Sequence, residues 1–235
     1  MKKVLFIILC IAFATSSQAQ FGKLKLPSGL SPSGLSETDI ANGLKQALTI
    51  GSQNASQALN KTDGYNGNPL IRIPFPPDAV KIENKLREIG YGAKVDAFVT
   101  SLNRAAEQAA IQAASIFANA ITNMTLTDAE GILKGSDTAA THYLRQNTYG
   151  PLNTAFTPPI QSALDNNNVD KQWTELTTAY NKIPFTKPVQ TNLIAYTTDK
   201  ALQGLFITVA GEEQKIRNNP EAQTTDLLKK VFGKQ

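Results

Sequence analysis

The sequence has few of the side chains that most enzymes use, with one cysteine, one histidine and one tryptophan in 235 residues. The cysteine, Cys10, lies in an apolar run near the start that we expect to be removed with a leader. The remaining chain would then have no thiol, which excludes disulfide bonds, zinc–thiolate sites and a cysteine nucleophile. We therefore expect its stability to come from packing, which about 200 residues can supply from one core.

The lone histidine does not support a catalytic triad or a metal centre. His142 follows Ser136 and Asp137 by six and five residues, a spacing that does not align the three on one helix face. The metal motif of helical bundles needs two Glu-x-x-His pairs, and neither Glu107 nor Glu130 has one. Phosphate-loop and dinucleotide motifs are absent as well. We therefore predict no cofactor, no metal and no identifiable catalytic residue, and interpret His142 as an ordinary surface or packing residue.

An excess of one charge is also lacking. The chain has 23 basic and 19 acidic residues, and loss of Lys2 and Lys3 with the leader leaves 21 against 19. A net charge near +2, dispersed along the chain, does not predict nucleic acid or an anionic membrane surface as a partner.

The first 19 residues have the three parts of a secretory signal peptide. Lys2 and Lys3 form the positive region, Val4 to Ala14 is apolar, and Ser17-Gln18-Ala19 fits a cleavage site after Ala19. The apolar run is shorter than the roughly 20 residues of a spanning helix, so we expect no transmembrane segment after cleavage. Cys10 lacks the small preceding residue of a lipoprotein signal. We expect a periplasmic or secreted protein.

The rest of the chain divides into a linker, 20–35, and one helical domain, 36–233. The linker contains PSGLSPSGLS, a composition typical of flexible segments. The domain lacks a convincing strand pattern or internal repeat. We predict an all-α, single-domain helical bundle around a long alanine-rich central helix, with one extended Pro-rich loop.

The central helix is predicted for Gly92 to Met124. Apolar residues recur there at steps of three and four: Val95, Phe98, Leu102, Ala105, Ala106, Ala109, Ala113, Ile116, Phe117, Ala120 and Met124. A second flank carries Val99, Ala110, Ala114, Ala118 and Ile121. The apolar sector spans roughly 220°, so the helix needs neighbours on two sides, and its alanines let them approach closely.

Capping and turn residues predict the remaining helices. One runs from the N-cap Ser36 to about Asn60, and the last long one from about Thr198 to Asn218. Pro77 opens a short helix that Gly90 closes. A capping box at Thr127–Glu130 opens a short helix that ends at Gly135, and Ser136 or Asp137 caps the next one. Several short helices follow, broken at Gly150-Pro151, Pro158-Pro159 and Asn166-Asn167-Asn168. A terminal helix begins at Asn219-Pro220.

The segment from Lys61 to Pro77 is the least helical part of the domain. Asp63-Gly64 and Asn66-Gly67 are turn dipeptides, and four prolines favour extended backbone around Leu70–Ile73. Two interpretations stay open: the loop rims or plugs a groove in the bundle, or it is a well-packed connection.

Acidic residues interrupt the apolar faces of two helices. Glu212 and Glu213 stand where apolar residues are due in the last long helix, and Asn103 and Glu107 border the stripe of the central one. These carboxylates could converge on a polar pocket for a cation or an amine, or act as an acid/base pair. Alternatively they form ion pairs, because Arg217 follows Glu213 by four residues and Lys215 follows Glu212 by three.

Several long runs resemble one known family: DGYNGNPLIRIPFP, SLNRAAEQAA, MTLTDAEGILKGSDTAAT, KALQGLF and EEQKIRNNPEAQTTDLLKKVFG. The chain from about Ser36 to Gly233 is similar to the exported bacterial proteins catalogued as domain of unknown function 4197. The resemblance implies an all-helical periplasmic or secreted domain. It supplies neither a mechanism nor functional residues.

Two hypotheses for function follow. The favoured one is an exported non-catalytic helical protein that binds a small ligand or a cell-envelope partner. The alternative is a carboxylate-dependent hydrolase acting on a cell-envelope polymer. The candidate ligand- or partner-binding residues are Asn103, Glu107, Glu212, Glu213, Arg217, Arg72 and Tyr65.

The leader prediction can be tested by cell fractionation. We expect a processed chain starting at Gln20 in the periplasm or the medium, soluble without detergent, and N-terminal sequencing would identify its first residue. Recovery of an uncleaved, membrane-bound chain would contradict the prediction.

Overall fold

The computed structural model describes residues 36–182 and 191–233, so the predicted leader and linker lie outside the described residues. The described parts are helical and lack strands, as the sequence predicts. In chain order the helices are α1 (Glu37–Leu59), α2 (Val80–Glu88), α3 (Gly92–Ala109), α4 (Ala113–Thr122), α5 (Leu126–Leu133), α6 (Ala139–Asn166), α7 (Val169–Asn181), α8 (Leu193–Asn218) and α9 (Asp226–Phe232). None of them is both long and apolar enough to cross a membrane.

The predicted central helix consists of α3 and α4, joined by the 3-10 turn Ala110–Gln112. Its main stripe is buried almost throughout, and Phe98 and Phe117 are fully buried. The second flank is buried at Val99, Ala110 and Ile121 but exposed at Ala118. Helices α1, α6, α7 and α8 all pack against this pair, so it is the centre of an all-α domain.

Helix α1 begins and ends where its caps predict. The Ser36 hydroxyl accepts a hydrogen bond from the Asp39 N–H (3.0 Å), and the Asp39 carboxylate accepts one from the Ser36 N–H (3.3 Å). In α5 the predicted capping box is displaced, because Thr125 is the cap and Asp128 its partner. The extended backbone of Thr125 places its hydroxyl 3.1 Å from the Asp128 N–H. Thr127 therefore lies inside the helix.

The prediction of several short helices after Ser136 is wrong for the first part of that region. Helix α6 runs unbroken for 28 residues with Pro151, Pro158 and Pro159 inside it. Each proline costs about 3 kcal/mol in a helix interior. The fully buried Leu152, Phe156 and Ile160 offset much of this cost, because each such side chain contributes about 1.5–3 kcal/mol. Core packing overrides local propensity here.

Two further boundaries differ from the sequence prediction. Helix α8 begins at Leu193, five residues before Thr198, because the Asn192 side chain caps it with a 2.9 Å bond from the Ala195 N–H. After α8, the 3-10 turn Pro220–Ala222 precedes α9, which has its own cap, Thr225.

The segment 61–77 is a packed connection. Tyr65, Ile71, Ile73 and Phe75 of this segment are buried, whereas Leu70 is 79% exposed. An aromatic cluster joins the segment to two helices. The ring centroid of Phe98 in α3 lies 5.3 Å from that of Phe75 in the segment and 5.3 Å from that of Trp173 in α7. The loop also lies directly on α8 at Gly204, where a side chain would collide with it.

Two glycines of α8 form a matched test of this contact. A Cβ at Gly204 would lie 2.7 Å from Tyr65 Cε1 and 3.2 Å from Ile71 Cβ, whereas one at Gly211 would meet nothing within 4 Å. We expect Gly204→Ala to lower the free energy of unfolding by about 1–3 kcal/mol through overpacking. Gly211→Ala should raise it by about 0.5–1 kcal/mol because alanine favours a helix. Denaturant unfolding measures both, and equal stability of the two variants would contradict the contact.

Candidate functional site

The buried carboxylate of Glu213 caps the start of α6. Its oxygens accept hydrogen bonds from the N–H groups of Ala140 (3.0 Å) and Thr141 (2.8 Å) and from the Thr141 hydroxyl (2.8 Å). The N-cap position of α6, Thr138, makes no side-chain cap of its own. The predicted cap at Ser136 or Asp137 is therefore wrong. A negative charge on the first N–H groups of a helix also complements its dipole.

Arg217 neutralises the Glu213 charge within the core. Its Nε donates to the Glu213 carboxylate at 3.0 Å, and one terminal nitrogen donates to the Ile132 carbonyl of α5 at 3.0 Å. The Glu213 side chain is only 5% exposed and the Arg217 side chain 11%. This buried, charge-assisted pair links α5, α6 and α8, because its hydrogen bonds reach a residue of each helix.

Glu212 faces a different neighbour. It accepts hydrogen bonds from Lys215 at 2.6 Å and from the Asn54 amide of α1 at 3.3 Å. Lys215 is largely exposed, so solvent screens this pair. Both ion pairs that the spacing allows, Glu213–Arg217 and Glu212–Lys215, are formed.

Asn103 and Glu107 bind the backbone of the loop 61–77. The Asn103 amide accepts from the Ile73 N–H (2.8 Å) and donates to the Ile73 carbonyl (2.9 Å), as a neighbouring strand would. One Glu107 oxygen accepts from the N–H groups of Tyr65 and Asn66, both at 3.2 Å. These bonds satisfy buried backbone groups that irregular structure leaves without partners.

Charged and aromatic groups complete the anchoring of the loop. Arg104 joins Glu107 (2.7 Å) to Asp63 (2.9 Å). Hydrogen bonds from Asn66 and then from Arg104 lower the pKa of Asp63. The Tyr65 hydroxyl donates to the Ala201 carbonyl at 2.8 Å. Burial, and then the Glu107 charge, raise the pKa of Tyr65 well above its usual range, so the hydroxyl stays protonated.

Six of the seven candidate residues therefore belong to two separate clusters. Glu213, Arg217 and Glu212 hold α8 to its neighbours, while Asn103, Glu107 and Tyr65 hold the loop. The carboxylates of Glu107, Glu212 and Glu213 share no hydrogen-bond partner in the described chain. Arg72 is exposed and donates to Asn66 at 3.1 Å. A ligand at these residues stays a prediction.

The cavity beside Glu213 is too small for an organic ligand. It measures about 20 Å³ and is lined mainly by apolar side chains of α1 and α8. This space accommodates about one water molecule. Among the described residues, no group of three or more His, Cys, Asp or Glu side chains is placed to hold a metal ion.

Two open grooves flank α6, and sequence analysis did not find either. The first, which we call the amide groove, has a volume of about 600 Å³ and is lined by Ile116, Asn119, Ala120, Asn123, Asp128, Tyr143, Gln146, Asn147, Thr148 and Pro151. The second, the arginine groove, has about 450 Å³ and is lined by Thr138, Thr141, His142, Arg145, Gln203, Phe206, Ile207 and Ala210. The four-residue spacing of Asn119 and Asn123, which places both amides on one helix face, is a signal of the amide groove in the sequence.

The described residues form an all-α, single domain in which buried polar groups fix helix ends and a loop. The chain belongs to the family described as "Protein of unknown function (DUF4197)", whose model matches residues 34–233. No curated protein and no solved structure matches the chain.

Conversion of each acid to its amide should rank the structural contributions of the three carboxylates. Glu213→Gln should lower the free energy of unfolding by about 3–5 kcal/mol, because it turns an NH₂ group toward existing donors and leaves Arg217 without a counter-charge. Glu107→Gln should cost about 1–3 kcal/mol, since one amide oxygen can still accept both loop N–H groups. Glu212→Gln should cost less than about 1 kcal/mol.

Denaturant midpoints at neutral pH, in low and high salt, measure this series. Glu212→Gln is the matched control for Glu213→Gln, because the two acids are adjacent on α8. A Glu213→Gln variant as stable as the native chain would show that the carboxylate is not a structural cap.

Proposed function

We propose that the protein is an exported, non-catalytic binding protein and that its ligand occupies the amide groove. The observation that carries this proposal is the concentration of uncharged polar side chains along an open groove between α4 and α6. Its volume of about 600 Å³ lies in the range of small-molecule sites. The leader predicted from the sequence supports export.

The amide groups of the groove are available for a ligand. The side chains of Asn119, Asn123 and Gln146 are exposed and make no hydrogen bond with the described part of the chain. Asn147 donates to the Tyr143 carbonyl at 2.8 Å, which leaves its own carbonyl oxygen as an acceptor. Each primary amide offers both donors and an acceptor, the pattern that adjacent hydroxyl groups or another amide can match.

The rest of the groove adds an apolar floor and a phenol. Ile116, Ala120 and Pro151 supply apolar surface against which the face of a sugar ring can pack. Burial, and then the charge of Asp128, raise the pKa of Tyr143, so its hydroxyl stays protonated and can donate. These features favour a neutral ligand rich in hydroxyl and amide groups, such as the glycan of a cell envelope.

The hydrolase alternative has less support in this groove. Glycoside hydrolysis commonly uses two carboxyl groups on either side of the scissile bond. Asp128 is the one acid that lines the groove in the described chain, and it is bound to the Thr125 N–H at 3.0 Å and the Thr125 hydroxyl at 2.7 Å. Those bonds lower the pKa of Asp128, which is the opposite of what a general acid requires.

Calorimetric titration with a tetramer of N-acetylglucosamine tests the proposal. We expect the intact processed chain to bind it, and the double variant Asn119→Ala/Gln146→Ala to bind about five- to 150-fold more weakly, since each of two lost hydrogen bonds costs about 0.5–1.5 kcal/mol. The matched control is Gln108→Ala/Gln214→Ala, which removes two exposed amides outside the groove.

Comparison of the two double variants distinguishes binding at the amide groove from non-specific binding to exposed amides elsewhere on the protein. Equal weakening by both, or no binding by the native chain to the tetramer and to purified peptidoglycan, would contradict the proposal. Release of shortened glycan during the titration would favour the hydrolase instead.

A further inference from the structure

The arginine groove has a composition unlike that of the amide groove, and the two share no lining residue. It lies between α6 and α8 and combines the cationic Arg145 with apolar Phe206, Ile207 and Ala210. Ile207 is 50% exposed, so part of its aliphatic surface is open to a ligand. We infer that this groove is a second binding site, for a small organic carboxylate with an aliphatic body.

Arg145 is held in place by aromatic rings. Its guanidinium lies 5.6 Å from the centroid of Phe206 and 5.9 Å from that of Tyr149. The two rings stack on each other at 6.5 Å with an interplanar angle of 18°. Stacking of this kind orients an arginine while leaving the N–H groups at its edge directed elsewhere.

The N–H groups of Arg145 lack an acceptor within the described residues, and this sets it apart from the other arginines. Arg87 binds Glu83 and Asp96, Arg104 binds Glu107 and Asp63, and Arg217 binds Glu213. Arg72 donates to Asn66. An exposed, oriented guanidinium without an anion can form two parallel bonds with a carboxylate.

Nearby acids are occupied by other partners and do not compete for Arg145. The Asp199 oxygens accept from the Tyr149 hydroxyl at 2.9 Å and from the Gln203 amide at 2.6 Å. The Glu213 carboxylate is bound to Thr141 and Arg217. Lys200 donates to the other end of the Gln203 amide at 3.1 Å, so its positive charge offsets that of Asp199. Arg145 is then the cation of this groove that lacks a counter-charge among the described residues, and it favours an anion.

The apolar wall of the groove favours a carboxylate that carries an aliphatic chain. Ile207 and Ala210 of α8 form the wall beside the buried ring of Phe206, and transfer of each CH₂ group from water to such a surface is favourable. An inorganic anion or acetate would use only Arg145. A carboxylate with a chain of several carbons would use both parts of a groove of about 450 Å³. The inference does not depend on the ligand proposed for the amide groove.

An NMR titration of the intact processed chain with octanoate tests the inference. We expect backbone amide shifts concentrated at Thr141, Arg145 and Ile207. Octanamide, which has the same chain but no charge, should bind about tenfold more weakly or worse, and so should acetate, which lacks the chain. These comparisons use the native protein and do not depend on the folding of a variant.

Arg145→Gln should weaken octanoate binding by about tenfold or more. Arg87→Gln is the matched control, because it removes an arginine on α2 outside the groove, and it should bind like the native chain. Equal binding of octanoate and octanamide would overturn the inference. So would equal binding by the Arg145 and Arg87 variants, or shifts that lie outside the groove.

Discussion

The charge of Glu213 at the first turn of α6 is the constraint on which the packing of the second half of the chain depends. Helix α6 starts without a local cap, and it is the helix that contacts α3, α4, α5, α7 and α8. The carboxylate supplies the missing acceptors from a residue 73 positions away in the chain. The carboxylate can be buried because the positive charge of Arg217 neutralises it. Arg217 also donates a hydrogen bond to the Ile132 carbonyl of α5.

A similar requirement explains the other polar residues in the core. The segment 61–77 forms turns instead of a regular helix, and the turn bonds leave the N–H groups of Tyr65, Asn66 and Ile73 to find partners elsewhere. Asn103 supplies both a donor and an acceptor to Ile73, and Glu107 binds two consecutive N–H groups. Of the residues that interrupt the amphipathic patterns, Asn103, Glu107 and Glu213 thus lie where irregular backbone or a helix end packs against their helix, whereas Glu212 binds side chains.

Local features of the fold could be predicted from sequence, and features set by distant contacts could not. The Ser36 cap and the Glu213–Arg217 spacing each lie within one helical turn, which explains why the sequence reveals them. The continuity of α6 through three prolines depends on core burial, and its cap comes from α8. The Asn103 and Glu107 bonds likewise need the loop to fold back on α3. The grooves arise from the packing of α6 beside α4 and α8, which periodicity does not specify.

Exposed polar residues of this protein are better candidates for ligand binding than its buried polar residues. A buried carboxylate that already accepts hydrogen bonds from backbone groups and an arginine can bind a ligand only by giving up those bonds, and this cost opposes binding. The exposed amides beside α4 and the exposed Arg145 carry no such cost in the described chain. Both grooves also have α6 as a wall. Loss of the Glu213 cap would displace the start of that helix and so alter both grooves at once. A loss of binding in a Glu213 variant would therefore report on the scaffold, and substitutions at exposed groove residues are the ones that report on the sites.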